Sequence, residues 1–267
     1  MKTRLGYLNY INCLPPYYGI LEEKVPIEAR ITPGLPHQLN SWLASKKLDL
    51  SPISSIEYAR HQDEYLLLPE LCLSSQGVVK SVILVSKLPL DKLKGKSIAL
   101  SKTSATSQVL VKVLLSAYQP FYKVMPPKLQ SMLLHSTAAL LIGDEALQVK
   151  EEEGLFLYDL AELWQRYIGY AVIFAVWAVK KDYAHKFPEK TKEIVQAFKK
   201  SLDYGLKHLD EIVIKLFDSF QHVDLYGYFK NLKYEFGPQE QEALLIYYQQ
   251  ASKLGLCPSC QRLEFFK

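Results

Sequence analysis

Apolar residues along this chain recur in two rhythms, and the rhythms alternate. Short apolar runs bounded by Gly, Pro, Asn, Ser or Thr read as strands at Arg4–Leu8, Ile27–Ile31, Leu48–Leu50, Val78–Ser86, Ser97–Leu100, Phe121–Val124, Ala138–Ile142, Leu155–Leu157 and Ala171–Val179. Helical segments are expected between them. Ile11–Ile20 reads as a turn and short helix, His37–Ser45 carries Leu39, Trp42 and Leu43 on one face, and Ile56–His61 follows the capping hydroxyls of Ser54 and Ser55. Further on, Val109, Leu110, Val113, Leu114 and Ala117 form one stripe, and helices are expected over Pro126–Leu134 and Glu145–Lys150. Beyond Lys180 the pattern is helical only. Pro188 opens a helix with Ile194, Phe198, Leu202, Gly205 and Leu209 on one side, and Gln239–Lys253 ends at Gly255.

Strand alternating with helix predicts an α/β fold with parallel sheet and crossover connections. At 267 residues the chain exceeds one ordinary core, so two lobes are expected, residues 1–88 with 180–267 and residues 89–179. Two chain crossings, near 88–96 and 176–180, would form a hinge with a cleft beside it. Hydroxyl and amide clusters stand at predicted strand ends: Asn9 to Asn12, Ser51 to Ser55, Ser74-Ser75, Thr103 to Ser107, and Gly143-Asp144. Ligands of open α/β sheets sit at such ends, where helix N-termini offer free N–H groups to anions. Each cluster alone reads first as a helix cap. Their coincidence at strand ends is what marks a candidate site.

Composition narrows the partners. Apolar residues make up 49% and charged residues 22%, as in ordinary globular proteins, and the formal charge is +4. Lysines are scattered and arginines few, so the clustered basic footprint of nucleic-acid binding is missing. A mild positive balance suits a small anion. The residues Met1–Tyr10 lack the apolar core of a secretory leader, and the apolar segment Tyr170–Val179 is strand-length and stops at Lys180-Lys181. With four cysteines forming no disulfide framework, a cytoplasmic protein without membrane or nucleic-acid partners is expected. Dinucleotide, phosphate-loop and nucleophile-elbow motifs are absent, as is paired-histidine metal spacing. Cys257-Pro258-Ser259-Cys260 has no second pair to complete a zinc site and reads as structural. Trp164 and Trp177 read as core or hinge packing.

Four segments together resemble one family. They are Gly6-Tyr7-Leu8-Asn9-Tyr10-Ile11-Asn12-Cys13-Leu14-Pro15, then Asp49 to Ala59, then Leu141-Ile142-Gly143-Asp144-Glu145-Ala146-Leu147, and Phe174-Ala175-Val176-Trp177-Ala178-Val179. The chain is similar, over nearly its whole length, to the chorismate dehydratases of the futalosine route to menaquinone. That resemblance implies a two-lobed, type 2 periplasmic-binding-protein-like fold with an interlobe cleft and hinge crossover strands. It implies chorismate, a small dicarboxylate, as substrate, and a carbon–oxygen lyase (hydro-lyase) reaction giving 3-[(1-carboxyvinyl)oxy]benzoate and water. The family's catalytic asparagine and serine map by motif onto Asn12 and Ser81. Its substrate-binding positions map onto Ser54, Ser55, Thr103, Ser104, Thr106, Ser107, Gly143 and Asp144. Lys80 and Tyr170-Ala171 depart from the family pattern.

The chemistry asks for no metal and no cofactor. Removing the ring C–H beside the enol-ether oxygen sends charge into the ring carboxylate, and loss of the neighbouring hydroxyl makes the ring aromatic. The protein's task is to hold a dianion and aim donors at developing charge. Neither Asn12 nor Ser81 is a strong base at neutral pH, so the substrate's own enolpyruvyl carboxylate is the favoured base and Asp144 the lesser alternative. Two other readings share the fold: a cytoplasmic small-carboxylate-binding protein, and the related 1,4-dihydroxy-6-naphthoate synthase. The latter family is expected to carry a histidine where Gly143-Asp144 stands, and the nearest here, His135, precedes the strand. Oligomeric state is left open by the sequence.

Overall fold

In the computed structural model, which describes residues 2–267, the chain opens with strand β1 (Thr3–Leu8). A single 3-10 turn at Ile11–Cys13 leads into α1 (Leu14–Leu21), with Pro15 and Pro16 in its first turn, where missing N–H groups cost nothing. Then come β2 (Ala29–Gly34), α2 (Pro36–Ala44), β3 (Leu50–Ser54), α3 (Ser55–Arg60) and β4 (Tyr65–Ser75). The middle of the chain holds β5 (Val82–Ser86), β6 (Ser97–Ser101), α4 (Ala105–Leu114), β7 (Phe121–Met125), α5 (Leu129–His135), β8 (Ala138–Ile142), α6 (Gly143–Leu147), β9 (Phe156–Asp159) and α7 (Leu160–Ile168). The return begins with β10 (Val172–Lys180) and continues through α8 (Lys181–Lys186), α9 (Pro188–Lys207), α10 (Leu209–Leu216), α11 (Leu225–Asn231), the short β11 (Leu232–Lys233) and α12 (Pro238–Lys253).

Two sheets result, ordered β11-β4-β10-β3-β1-β2 and β7-β6-β8-β5-β9. Neither is wholly parallel, against the sequence expectation. β1 lies parallel to β2 and β3, and β6 parallel to β7 and β8, but β10 runs antiparallel to β3 and β4 and β5 antiparallel to β8 and β9. The reason is topological: β5 and β10 follow the chain crossings, so they start at the seam where the other strands end. The sheets divide the chain between Ser75 and Val82 and again between Ile168 and Val172. Both divisions fall earlier than 88–96 and 176–180, because β5 belongs to the second sheet and β10 to the first. Ser75 pairs with Val172, so the two crossings run side by side.

Alternation along the second sheet divides its side chains between two packings, as a period of two requires. Ile83, Val85, Ala99, Ala139 and Leu141 pack with Met125, Met132 and Leu133 on one face. Val82, Leu84, Ile98, Leu100, Ala138 and Leu140 join the large core shared with the first sheet. In the first sheet Trp177 is buried and its indole N–H donates to Tyr17 Oη at 3.3 Å, while Tyr17 Oη donates to the Gly6 carbonyl at 2.6 Å. α1 and α9 approach closely here. A Cβ on Gly205 would stand 2.2 Å from the Pro15 carbonyl oxygen, so only glycine fits. Among the described residues no helix is long and apolar enough to cross a membrane.

A candidate cleft between the two sheets

Strands β1, β3, β6 and β8 all end at the seam between the sheets, so the segments after them face one another across it. A cavity lies there, lined by residues from both sides, among them Leu8, Tyr10, Asn12, Pro36, Ser54, Ser81, Ser104, Ser107, Gly143 and Phe174. Its lining contains no charged side chain and no histidine. The volume is about 40 Å³, room for water only and far below the roughly 300 Å³ of a small-ligand pocket. A ring-bearing ligand therefore requires the sheets to part.

Asn12 sits on the 3-10 turn after β1, its backbone carbonyl accepting the Tyr234 hydroxyl at 2.9 Å. Its side-chain Oδ1 is shut away from solvent without a partner. Ser81, buried, ends the first crossing, and its carbonyl accepts the Gly143 N–H at 2.7 Å. That bond ties the start of β5 to the end of β8. Ser54 is held by Asn40, which accepts the Ser54 N–H at 3.0 Å and donates to Ser54 Oγ at 3.1 Å. Ser104 caps α4 and Ser107 lies one turn on, with Ser104 Oγ donating to Ser107 Oγ at 3.1 Å. The positive end of the α4 dipole thus points at the cavity, as an anion site requires. Gly143 has φ +63°, and a Cβ there would meet the Tyr10 ring at 2.8 Å.

Four of the residues expected at the site do not reach the cavity lining. Ser55 Oγ donates to the Ile173 carbonyl at 2.6 Å and lies 3.2 Å from Thr106 Oγ1, which also accepts the Ile56 N–H at 3.3 Å. The Thr106 carbonyl in turn accepts the Tyr247 hydroxyl at 2.9 Å. Ser55 and Thr106 therefore join the two sheets behind the cleft. Thr103 Oγ1 pairs with Ser101 Oγ at 2.6 Å. Asp144 Oδ1 accepts the Ile11 N–H at 3.3 Å, bridging the cleft on its other side. Burial raises the Asp144 carboxyl to about 6, against the lowering pull of that hydrogen bond. Lys80 is exposed, with its backbone in the left-handed region at φ +62°, and adds no charge to the lining.

The sequence reading assigns no site role to several residues that line or support the cavity. Tyr10 closes over Gly143. Phe174 reaches the cavity through a bulge: Ile173 faces Ser74 and Ala175 faces Leu73, leaving Phe174 without a partner on β4. Asn40 orients Ser54 from mid-helix. Tyr228 and Tyr234 approach Asn12 from the C-terminal segment. Each depends on a tertiary approach that local spacing does not encode.

A family model described as menaquinone biosynthesis matches residues 3–253. A chorismate dehydratase of Thermus thermophilus is 30% identical over 226 residues, spanning 78% of this chain and 79% of its own. One from Campylobacter jejuni is 28% identical over 227 residues, spanning 78% and 87%. A 1,4-dihydroxy-6-naphtoate synthase of Thermus thermophilus is 20% identical over 275 residues, spanning 98% of each. Among solved structures, a protein from Archaeoglobus fulgidus superposes with a TM-score of 0.79 at 20% identity, over 96% of this chain and 98% of its own. A Candida albicans protein described as having the generic periplasmic-binding-protein fold gives 0.63 at 11% identity, over 97% and 92%.

Proposed function

The chain belongs to the menaquinone-biosynthesis family, and on that premise we propose that it is a chorismate dehydratase, a hydro-lyase converting chorismate to 3-[(1-carboxyvinyl)oxy]benzoate and water. The observation that carries this reading is the convergence of Asn12 and Ser81 on one uncharged cavity beside the α4 N-terminus. Substrate carboxylates would take the α4 N–H groups and the Ser54, Ser104 and Ser107 hydroxyls. Such charge-assisted bonds contribute roughly 1.5–3 kcal/mol each, so several together hold a dianion without an arginine.

The reaction breaks the ring C–H beside the enol-ether oxygen, and its electron pair passes through the ring toward the ring carboxylate. The same electrons then form the new ring double bond as the neighbouring C–OH bond breaks, and the departing hydroxide takes up the proton as water. The enolpyruvyl carboxylate of the substrate serves as the base. Asn12 and Ser81 donate to the charge that develops on the ring carboxylate or the leaving oxygen; losing one such donor typically costs about 2.7–4 kcal/mol of barrier. The naphthoate-synthase reading lacks its expected histidine, since none lines the cavity.

Purified protein incubated with chorismate is expected to give the enolpyruvyl benzoate, followed by ultraviolet absorbance and mass, without added metal or nucleotide. Chorismate bound but unchanged would leave a carboxylate-binding protein of this fold.

A further inference from the structure

The inner cavity is uncharged and closed, so a dianion must meet its first positive charge elsewhere. A second opening, of about 300 Å³, lies across the same seam. His37, Asn40 and Glu57 line it from α2 and α3, and Lys102, Ala105 and Gln108 line it from the second sheet's side. It adjoins the cavity on both walls. Pro36 and Ser104 line the cavity, and their chain neighbours His37 and Ala105 line the opening. Asn40 also joins the two, donating at 3.1 Å to the hydroxyl of Ser54, which lines the cavity. The opening reaches the size of a small-ligand pocket, which the cavity does not.

Lys102 directly follows β6 and is exposed, its backbone N–H donating to the Met125 carbonyl at 3.0 Å. Among the described residues no carboxylate pairs with its ammonium group. Glu57, the one carboxylate in the lining, is committed to its own helix end, 2.7 Å from Arg60 Nη1 and 3.8 Å from His61 Nε2. Gln108 Nε2 is likewise committed, to the Ser101 carbonyl at 2.8 Å. Burial, and then the Lys102 charge, lower the His37 imidazole below its ordinary value, so it is neutral at pH 7. One uncompensated positive charge therefore stands beside an uncharged cavity.

We propose that this opening is the mouth of the cleft, and that Lys102 binds a carboxylate of the incoming substrate there before the sheets part to admit the ring. An ammonium on a flexible four-carbon stem can follow the carboxylate inward. The Ser104 and Ser107 hydroxyls, just beyond Lys102 along the chain, then take it over. A cleft rimmed by one sign of charge raises the local concentration of its ligand, and salt weakens the effect. That the anion is chorismate rests on the dehydratase reading above.

The test is Lys102→Gln in the full chain, with Lys94→Gln as control. Lys94 is also exposed, but it precedes β6, at the strand end away from the cleft. Lys102→Gln is expected to raise KM roughly three- to tenfold with kcat within about twofold, the pattern of lost substrate binding. Its kcat/KM should also depend less on salt, between about 0.02 and 0.5 M, than that of the wild type. Lys94→Gln should match the wild type in both respects. An unchanged KM and salt dependence in Lys102→Gln, a loss confined to kcat, or equal changes in the control would overturn the role. Should the wild type bind chorismate without converting it, the dehydratase reading falls, and calorimetric titration then judges the mouth. Weaker binding by Lys102→Gln supports it and equal binding overturns it. A wild type that does not bind chorismate overturns it as well.

Discussion

At Asp144 burial and hydrogen bonding pull in opposite directions, and burial wins, leaving the carboxyl near 6 against an ordinary 3.8. The raised value means that the folded chain holds this proton more tightly than the unfolded one. The associated stability is complete below about pH 4 and is lost as pH rises through about 6. Asp144→Asn keeps the acceptor for the Ile11 N–H and removes the charge. It should therefore stabilise the fold by about 1–3 kcal/mol at pH 7.5 and by almost nothing at pH 4, read from urea unfolding at the two pH values. Because this carboxyl does not line the cavity, turnover should survive the change within about tenfold; a loss of a thousandfold would place the base here after all. Ser81→Ala and Asn12→Ala should behave in the opposite way, lowering kcat by roughly 10²–10³ while moving Tm little. Equal losses of activity and stability would make them scaffold.

At the scale of elements, the cleft is built by strand ends and short turns, and those were partly legible. β1, β6, β7 and β8 follow apolar runs cleanly, and the hydroxyls at Ser54, Ser104 and Ser107 mark ends that face the cavity. β4 was not legible, because Pro69-Glu70 interrupts the apolar run within Tyr65–Ser75. The fold tolerates it where the ladder is interrupted: Leu67 pairs with Ala178 and Cys72 with Val176, leaving Pro69 and Glu70 outside the pairing. Ser55 and Thr106 share the sequence signal of Ser54 and Ser107 yet are used to join the sheets, a distinction set by which way each helix start is rotated. The bulge at Phe174 and the approach of α11 to Asn12 are likewise tertiary. Gly143 offers a test at this scale. Gly143→Ala imposes a left-handed backbone on a side chain and drives it into the Tyr10 ring, so a loss of about 1–2 kcal/mol is expected in urea unfolding. An unchanged midpoint would mean that Tyr10 yields freely.

The whole molecule is two sheets sharing a core and joined by two adjacent crossings, with contacts on both sides of a closed seam. Ser55, Thr106 and Tyr247 hold one side, and Tyr10, Ile11 and Asp144 the other. A cavity of about 40 Å³ cannot receive chorismate in this arrangement, so opening must precede binding. Solution scattering of Ser81→Ala should accordingly show the radius of gyration rising slightly when chorismate is added, as the sheets part to hold it. A constant radius would place the ligand outside the seam.

The most direct test of the account is a single-turnover experiment with the protein in saturating excess over chorismate, comparing the wild-type chain with Asn12→Ala and Ser81→Ala. The account predicts that all three bind the substrate, that the wild type forms the enolpyruvyl benzoate and releases water, and that both variants are slower by two or more orders of magnitude. Equal rates in the three proteins, or a wild type that binds chorismate and leaves it intact, would contradict it.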